Sequence, residues 1–138
     1  MAQPVVVDAN VAVALAVATP YSEQATGLME GWLRDRVPLY APLLWEYELA
    51  SAMRKAVALG LLSSDRAATA LDGLLRLRVE RVAPHAELHR QALRWAALLN
   101  HTVAYDGHYL AVAERLGATF HTADRRLAEA AAALDISW

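Results

Sequence analysis

The architecture of this chain is set by residues 5–11, which read Val5-Val6-Val7-Asp8-Ala9-Asn10-Val11. Three consecutive β-branched residues predict a strand that is buried on both faces, because a half-exposed strand would alternate apolar with polar residues. A short helix is predicted to follow from Asn10. Asp8 therefore stands where a buried strand ends and a helix begins, at the edge of the predicted sheet where α/β proteins bind their ligands.

Predicted helices and strands alternate along the rest of the chain. Apolar periodicity, capping residues and glycine or proline stops predict helices over residues 22–36, 43–59, 64–77, 84–100, 106–116 and 124–134. Short apolar segments predict strands over residues 37–41, 79–83, 102–105 and 118–121, with a further edge strand over 136–138. This alternation indicates an α/β fold, a three-layer α/β/α sandwich with a central parallel sheet of four to five strands. The length of 138 residues predicts one domain over 1–138.

The composition narrows the class of protein. The chain has no cysteine, which excludes disulfides and thiolate zinc sites and favours a reducing cytoplasm. A formal net charge of -2 is not that of a protein that coats nucleic acid, although it is compatible with basic residues around an acidic pocket. The apolar run over residues 5–17 is interrupted by Asp8 and Asn10 and is too short to span a bilayer. We therefore expect a soluble, cytoplasmic protein that does not insert into membranes.

Three of the predicted strands lead into an aspartate: Asp8, Asp106 and Asp124. Parallel strands place their carboxyl ends at one edge of the sheet, where crowded carboxylates would repel one another and take up protons. A bound divalent cation removes this conflict, and Mg²⁺ suits a set of hard oxygen ligands that leaves room for water and phosphate. The alternative is that each aspartate caps the helix that follows it. The pattern alone leaves both interpretations open.

Four stretches, taken in order, resemble the motifs of PIN-domain nucleases, and in particular the VapC-like toxins of toxin–antitoxin pairs. They are residues 5–11, residues 42–53 (Pro42 to Met53), residues 105–113 (Tyr105 to Ala113) and residues 122–127 (Thr122 to Leu127). Together they extend over most of the chain. The resemblance implies a metal-dependent ribonuclease that acts on RNA, forms a homodimer and is blocked by a cognate antitoxin.

By the same resemblance, one or two Mg²⁺ or Mn²⁺ ions would be held by Asp8, Glu48, Asp106 and Asp124. Asn10 and Thr122 would be supporting polar groups near the site, together with Ser51, which stands where the family often has asparagine.

The second acid of this set has two candidates, Glu46 and Glu48. On an ideal helical wheel Glu46 projects into the apolar arc of its helix, and Glu48 lies at the margin of that arc. The spacing from Pro42 and the residues that follow match the glutamate-centred family motif at Glu48. We follow this register and assign Glu48, with Glu46 as the alternative.

Two other functions are compatible with parts of the sequence. The start of the chain is also similar to that of haloacid-dehalogenase-like phosphatases, in which the first aspartate is a nucleophile. That family needs a second acid where Asn10 stands and a later lysine where Arg125 and Arg126 stand. The other alternative is a non-catalytic PIN-like binding module, which would need an incomplete set of acids. Both are less favoured than the ribonuclease.

Overall fold

The computed structural model describes residues 2–133. Its strands are β1 (Val5–Val7), β2 (Leu39–Pro42), β3 (Val79–Val82) and β4 (Thr119–His121). Its helices are α1 (Ala9–Ala16), α2 (Ser22–Arg34), α3 (Leu44–Ala58), α4 (Ser64–Leu75), α5 (Ala86–Leu98), α6 (Tyr105–Leu116) and α7 (Arg125–Ala133). Strands and helices occur along the whole described part of the chain, which confirms the predicted α/β class.

The sheet is parallel throughout, with strand order β3-β2-β1-β4. β1 lies inside it, and Val6 pairs with Tyr40 of β2 on one side and Phe120 of β4 on the other. All three valines of β1 are buried, although consecutive side chains of a strand point to opposite faces. Both faces of the sheet are therefore covered, as the predicted three-layer sandwich requires.

α6 lies against the sheet, and α1 packs among the other helices. α6 packs against β1, β2, β4 and α5, and α1 packs against α2, α3 and α4. The largest fully buried side chains near their contacts are Trp45 of α3 and Tyr109 of α6. Asp8 lies between the end of β1 and the start of α1, so it is held by the central strand and by a buried helix at once.

The strand predicted over residues 102–105 is wrong. Residues 102–104 are bends between α5 and α6, and α6 begins at Tyr105. Asn100 has a φ of 58° and turns the chain at the end of α5, so that α6 packs back on α5. Thr102 and Val103 are exposed: the segment has strand propensity but no strand beside it to pair with. Asp106 therefore enters the site from the first turn of a helix.

The other predicted elements within residues 2–133 are confirmed, with ends that differ by one or two residues. α2, for example, ends at Arg34 because Arg36 adopts a left-handed conformation with φ 54°. The predicted edge strand over residues 136–138 lies outside the described residues. No helix in the described part of the chain combines the length and the hydropathy that a membrane crossing requires.

Candidate active site

A pocket of about 430 Å³ brings the four predicted acids together. Asp8 follows β1, Glu48 lies on α3, Asp106 lies in the first turn of α6, and Asp124 immediately precedes α7. Asn10 of α1 lines the same pocket. The acids are contributed by distant parts of the chain, and the fold places them around one opening at the carboxyl end of β1.

Asp8 is a buried carboxyl group that its position before a helix does not explain. Its side chain is at the N-terminus of α1 but makes no capping hydrogen bond to that helix. Instead, its Oδ2 accepts a hydrogen bond of 2.8 Å from the hydroxyl of Thr122. The residue is only 6% exposed. Thr122, at the edge of the sheet, is therefore the main hydrogen-bond partner of the Asp8 carboxyl group, and the backbone of Asn10 makes only a smaller contribution to its pKa.

Asp124 does cap a helix. Its Oδ1 accepts hydrogen bonds from the backbone N–H groups of Arg126, at 3.0 Å, and Leu127, at 3.2 Å. For this aspartate the capping interpretation is correct, and the residue lines the pocket as well. Asp106 has neither the hydrogen bond to Thr122 that Asp8 makes nor the capping hydrogen bonds that Asp124 makes. Its Oδ2 lies 3.6 Å from Nδ1 of His101. The three aspartates thus reach the pocket with different degrees of restraint.

Two polar residues hold this end of the sheet together. The amide of Asn10 donates to the Thr122 hydroxyl at 3.1 Å, and its carbonyl oxygen accepts the N–H of Ala123 at 2.9 Å. The Thr122 hydroxyl also accepts the N–H of Asp124 at 3.0 Å. Because that hydroxyl receives two hydrogen bonds, its single proton is directed to Asp8. Asn10 and Thr122 therefore orient the buried carboxylate, at contacts that join β1 to the loop after β4.

Glu48, not Glu46, lies in the pocket. Glu48 Oε1 accepts a hydrogen bond of 2.6 Å from the Tyr109 hydroxyl. Glu46 pairs with Nε of Arg81 at 3.1 Å and does not line the pocket. The helical wheel identified the apolar arc of α3, but it could not show which element of the fold packs against each part of that arc. Ser51 is exposed and shares a smaller, neighbouring pocket with Glu48, outside the network of Asn10 and Thr122.

Tyr109 is a site residue that the sequence reasoning missed. Its ring is fully buried on α6, three residues after Asp106, and its hydroxyl reaches Glu48 across the interface with α3. The spacing was a usable signal, since residues three apart share a helical face. Burial and the nearby carboxylates raise the pKa of the Tyr109 phenol, so the hydroxyl stays protonated and donates.

The electrostatics of the pocket disfavour three ionised acids side by side. Burial raises the pKa of Asp8 to about 7, against the effect of the Thr122 hydrogen bond and with smaller contributions from Glu48 and Asp106. Burial also raises the pKa of Glu48, which the Tyr109 hydrogen bond opposes and the charge of Asp106 reinforces. Burial raises the pKa of Asp106, and His101 opposes it. Positive charge in the pocket, from protons or from a cation, would relieve this repulsion.

The donor set fits a hard divalent cation, because it offers carboxylate oxygens and, beside them, amide and hydroxyl oxygens. Within residues 2–133, however, no three acidic or histidine side chains stand close enough together to enclose an ion as they are. An ion shared by three of them would require the least restrained carboxylate, Asp106, to turn toward Asp8 and Glu48. Burial is the main cause of the raised pKa values of Asp8, Glu48 and Asp106, and the neighbouring carboxylates add to it.

Comparison with known proteins identifies the family of this chain. The sequence model of the PIN-domain family matches residues 5–133 of this chain. Ribonuclease VapC3 of Pyrobaculum aerophilum is 36% identical over 126 residues, which cover 90% of this chain and 92% of the relative. Ribonuclease VapC12 of Mycobacterium tuberculosis is 33% identical over 125 residues, covering 91% and 90% respectively.

Solved structures share the fold. The crystal structure of PAE2754 from Pyrobaculum aerophilum superposes with a TM-score of 0.66 at 26% identity, covering 94% of this chain and 87% of that one. Mycobacterium tuberculosis VapC20, described as a Sarcin-Ricin loop cleaving toxin, has a TM-score of 0.63 at 18% identity, with 91% and 94% covered. At that identity the likeness shows the fold alone. The family model and the two ribonuclease relatives carry the assignment further: this chain belongs to the PIN-domain family, in the group that contains the VapC ribonucleases.

Proposed function

We propose that this chain is a VapC-type endoribonuclease toxin, which hydrolyses RNA phosphodiester bonds with a divalent metal ion held by Asp8, Glu48, Asp106 and Asp124. The observation that carries the proposal is the pocket that all four acids line, one of which, Asp8, is buried. The names of the relatives, both VapC ribonucleases, support the reaction class.

The ion is Mg²⁺ or Mn²⁺, because the residues in reach offer hard oxygen ligands. When bound, it would lower the pKa of a water molecule and offset the charge of the phosphodiester. Asp8 is the ligand with the least freedom, since burial and Thr122 fix its direction. Glu48 is restrained next, by the short hydrogen bond from Tyr109. Both would therefore face a cation with little loss of side-chain entropy.

Asp106 is the acid best placed to orient the attacking water. It lines the pocket and contacts only His101 among the described ion pairs and hydrogen bonds, whereas Asp124 commits one oxygen to the cap of α7. A carboxylate with free lone pairs can accept the proton of a water aligned with the scissile bond. Attack of the water oxygen at phosphorus, with cleavage of the bond to the 3′ oxygen, which takes up a proton, would leave one product with a 5′-phosphate and the other with a 3′-hydroxyl.

The first experiment is RNA cleavage with Mg²⁺ and with a chelator, followed by end-group analysis. Asp8→Asn keeps the size of the side chain and an acceptor for Thr122 but removes the charge, so we expect a folded protein without activity. Cleavage that survives chelation, or a fully active Asp8→Asn, would contradict the proposed metal site.

A matched pair of substitutions on α3 tests the second acid. Glu48→Gln should abolish cleavage and weaken metal binding, because it removes a charge from the pocket. Glu46→Gln removes the same charge two residues away, where the side chain pairs with Arg81, and should retain activity. The reverse result would show that the second acid is Glu46 and would leave the ribonuclease assignment in place.

The proposed protein partner is the antitoxin, and we expect it to bind the apolar residues that line one part of the acid pocket. Leu59, 63% exposed, and Leu61, 58% exposed, line the pocket together with Val13 and Val17. A segment laid there would cover the approach to the acids. We expect the product of an adjacent small gene to inhibit cleavage by the wild-type protein and to inhibit Leu61→Glu much less. Equal inhibition of both would place the antitoxin elsewhere.

A homodimer stays part of the proposal, on the family resemblance. Trp45 of α3 is fully buried within the fold and gives no support to a dimer. Sedimentation at tens of micromolar protein decides the oligomeric state.

The alternatives are weaker than the ribonuclease. Membership of the PIN-domain family removes the main argument for a phosphatase. A binding module without catalysis would need an incomplete acid set, and all four acids line the pocket.

A further inference from the structure

We propose that Tyr47 and Tyr105 form a stacking site for an unpaired nucleobase of the RNA, beside the acids that cleave it. This inference rests on the proposed ribonuclease function. It adds the part of the substrate that is held next to the scissile bond and the two side chains that hold it.

The two tyrosines are attached to the acid site through the chain. Tyr47 immediately precedes Glu48 on α3, and Tyr105 immediately precedes Asp106 at the start of α6. Both line one pocket of about 380 Å³ together with Glu48. Glu48 also lines the acid pocket, so the tyrosine pocket and the acid pocket are neighbours that share this carboxylate.

Both rings are presented to solvent. Tyr47 is 68% exposed and Tyr105 is 58% exposed, whereas Tyr109, on the same helix as Tyr105, is fully buried. Exposed aromatic rings that share a concave surface are typical of binding sites rather than of an ordinary protein surface. Neither ring contributes to the core, so the fold itself does not account for their positions.

A second, more apolar pocket continues from the tyrosines. Its volume is about 330 Å³, within the range of small-molecule sites. Tyr47 and Tyr105 line it with Leu44, Leu88 and His108, and none of its lining residues carries a carboxylate. His108 is fixed there by a hydrogen bond of 2.8 Å between its Nε2 and Nδ1 of His89. An apolar hollow with polar imidazole groups at its wall, free of negative charge, is suited to a flat heterocycle attached to a polyanion.

RNA is the occupant that continuity requires. A chain cut at the acids must continue past both sides of the pocket, and the neighbouring pocket on the side of Glu48 is lined by the two tyrosines. Bases of single-stranded RNA stack on aromatic side chains, and this contact tolerates any base because each has a π face. Leucine would fill the same apolar space without offering that face.

The experiment measures binding rather than cleavage. Asp8→Asn serves as the parent protein, because it should hold RNA without cutting it. The probe is a fluorescein-labelled, mixed-sequence, single-stranded RNA 12-mer in Mg²⁺ buffer, followed by anisotropy. We expect Tyr47→Leu and Tyr105→Leu each to weaken binding by between about fivefold and about 100-fold, and the Phe variants to bind as the parent does. Leu93→Ala, at a 64% exposed position of α5, is the matched surface control.

An abasic scan of the same RNA distinguishes stacking from a general loss of contact. For at least one position of the RNA, replacing the nucleotide by an abasic one should weaken binding to the parent. The same replacement should not weaken binding to the Tyr47→Leu/Tyr105→Leu protein any further. Equal binding by parent and leucine variants would overturn the proposal, and so would leucine variants that change only the oligomeric state in sedimentation, which would mark a protein interface. A parent that binds no RNA would overturn both this inference and the proposed function, whereas RNA binding that ignores the tyrosines would overturn this inference alone.

Discussion

Replacing Asp8 by asparagine should stabilise the protein in the presence of a chelator, and the gain should increase with pH. Burial raises the pKa of this carboxyl group from its ordinary 3.8 to about 7 in the folded state, while in the unfolded chain it ionises near the ordinary value. Between those two pH values the unfolded state has released the proton and the folded state has kept it. Stability therefore falls as the pH rises through this window and reaches its low plateau above about pH 7.

The size of the effect follows from the same two values. The pKa of Asp8 lies about three pH units above its ordinary value, and each unit corresponds to about 1.4 kcal/mol. The ionised carboxylate therefore lowers the free energy of unfolding by about 4 kcal/mol at pH 8, and more than half of this loss falls between pH 5 and pH 8. Asparagine has no charge to bury and can still accept the Thr122 hydroxyl through its Oδ1.

The assay is urea denaturation of wild type and Asp8→Asn in EDTA at pH 5, 6, 7 and 8. The difference in unfolding free energy should be smallest at pH 5 and should grow to about 4 kcal/mol at pH 8. Asp72→Asn, at an exposed position of α4, is the control for removing one charge. A difference between wild type and Asp8→Asn that does not change with pH, or an asparagine variant that is less stable at pH 8, would refute the reasoning.

Three further substitutions or additions test the surroundings of the pocket. Tyr109→Phe removes the hydroxyl that donates to Glu48, and we expect Mg²⁺ affinity by calorimetry to fall by about tenfold with the fold intact; unchanged affinity would show that this hydrogen bond does not position the ligand. Gly107→Ala places a β-carbon against a backbone carbonyl of α5 and should destabilise the protein by about 1–3 kcal/mol in urea, whereas Gly73→Ala, which meets open space on α4, should not destabilise it. Mg²⁺ should raise the melting temperature of wild type and raise that of Asp106→Asn much less; equal shifts would place the ion outside the acid pocket.

The fold and two of the three aspartate positions follow from local sequence. Three consecutive valines can be satisfied only inside a sheet that is covered on both faces, and the chain that leaves such a strand must pass its edge. Asp8 and Asp124 were predicted there for this reason. The prediction that Asp106 also follows a strand was wrong, because strand propensity over residues 102–105 says nothing about whether another strand is available to pair with it.

The tertiary structure decided the contacts that make the acids a site. Thr122 donates to Asp8 across 114 residues of sequence, and Tyr109 donates to Glu48 across 61. The periodicity of a segment records which of its residues are buried, but it does not record which distant element covers them. That is why the helical wheel of α3 favoured Glu46, whereas the hydrogen bond from Tyr109 of α6 identifies Glu48 as the acid at the pocket. The sequence by itself determined the sheet, the edge at which its strands end, and the charged residues that lie there. The packing of helices on that sheet determined which carboxylate oxygens face the pocket and how far each is restrained. It also determined which tyrosines are buried and which face the solvent.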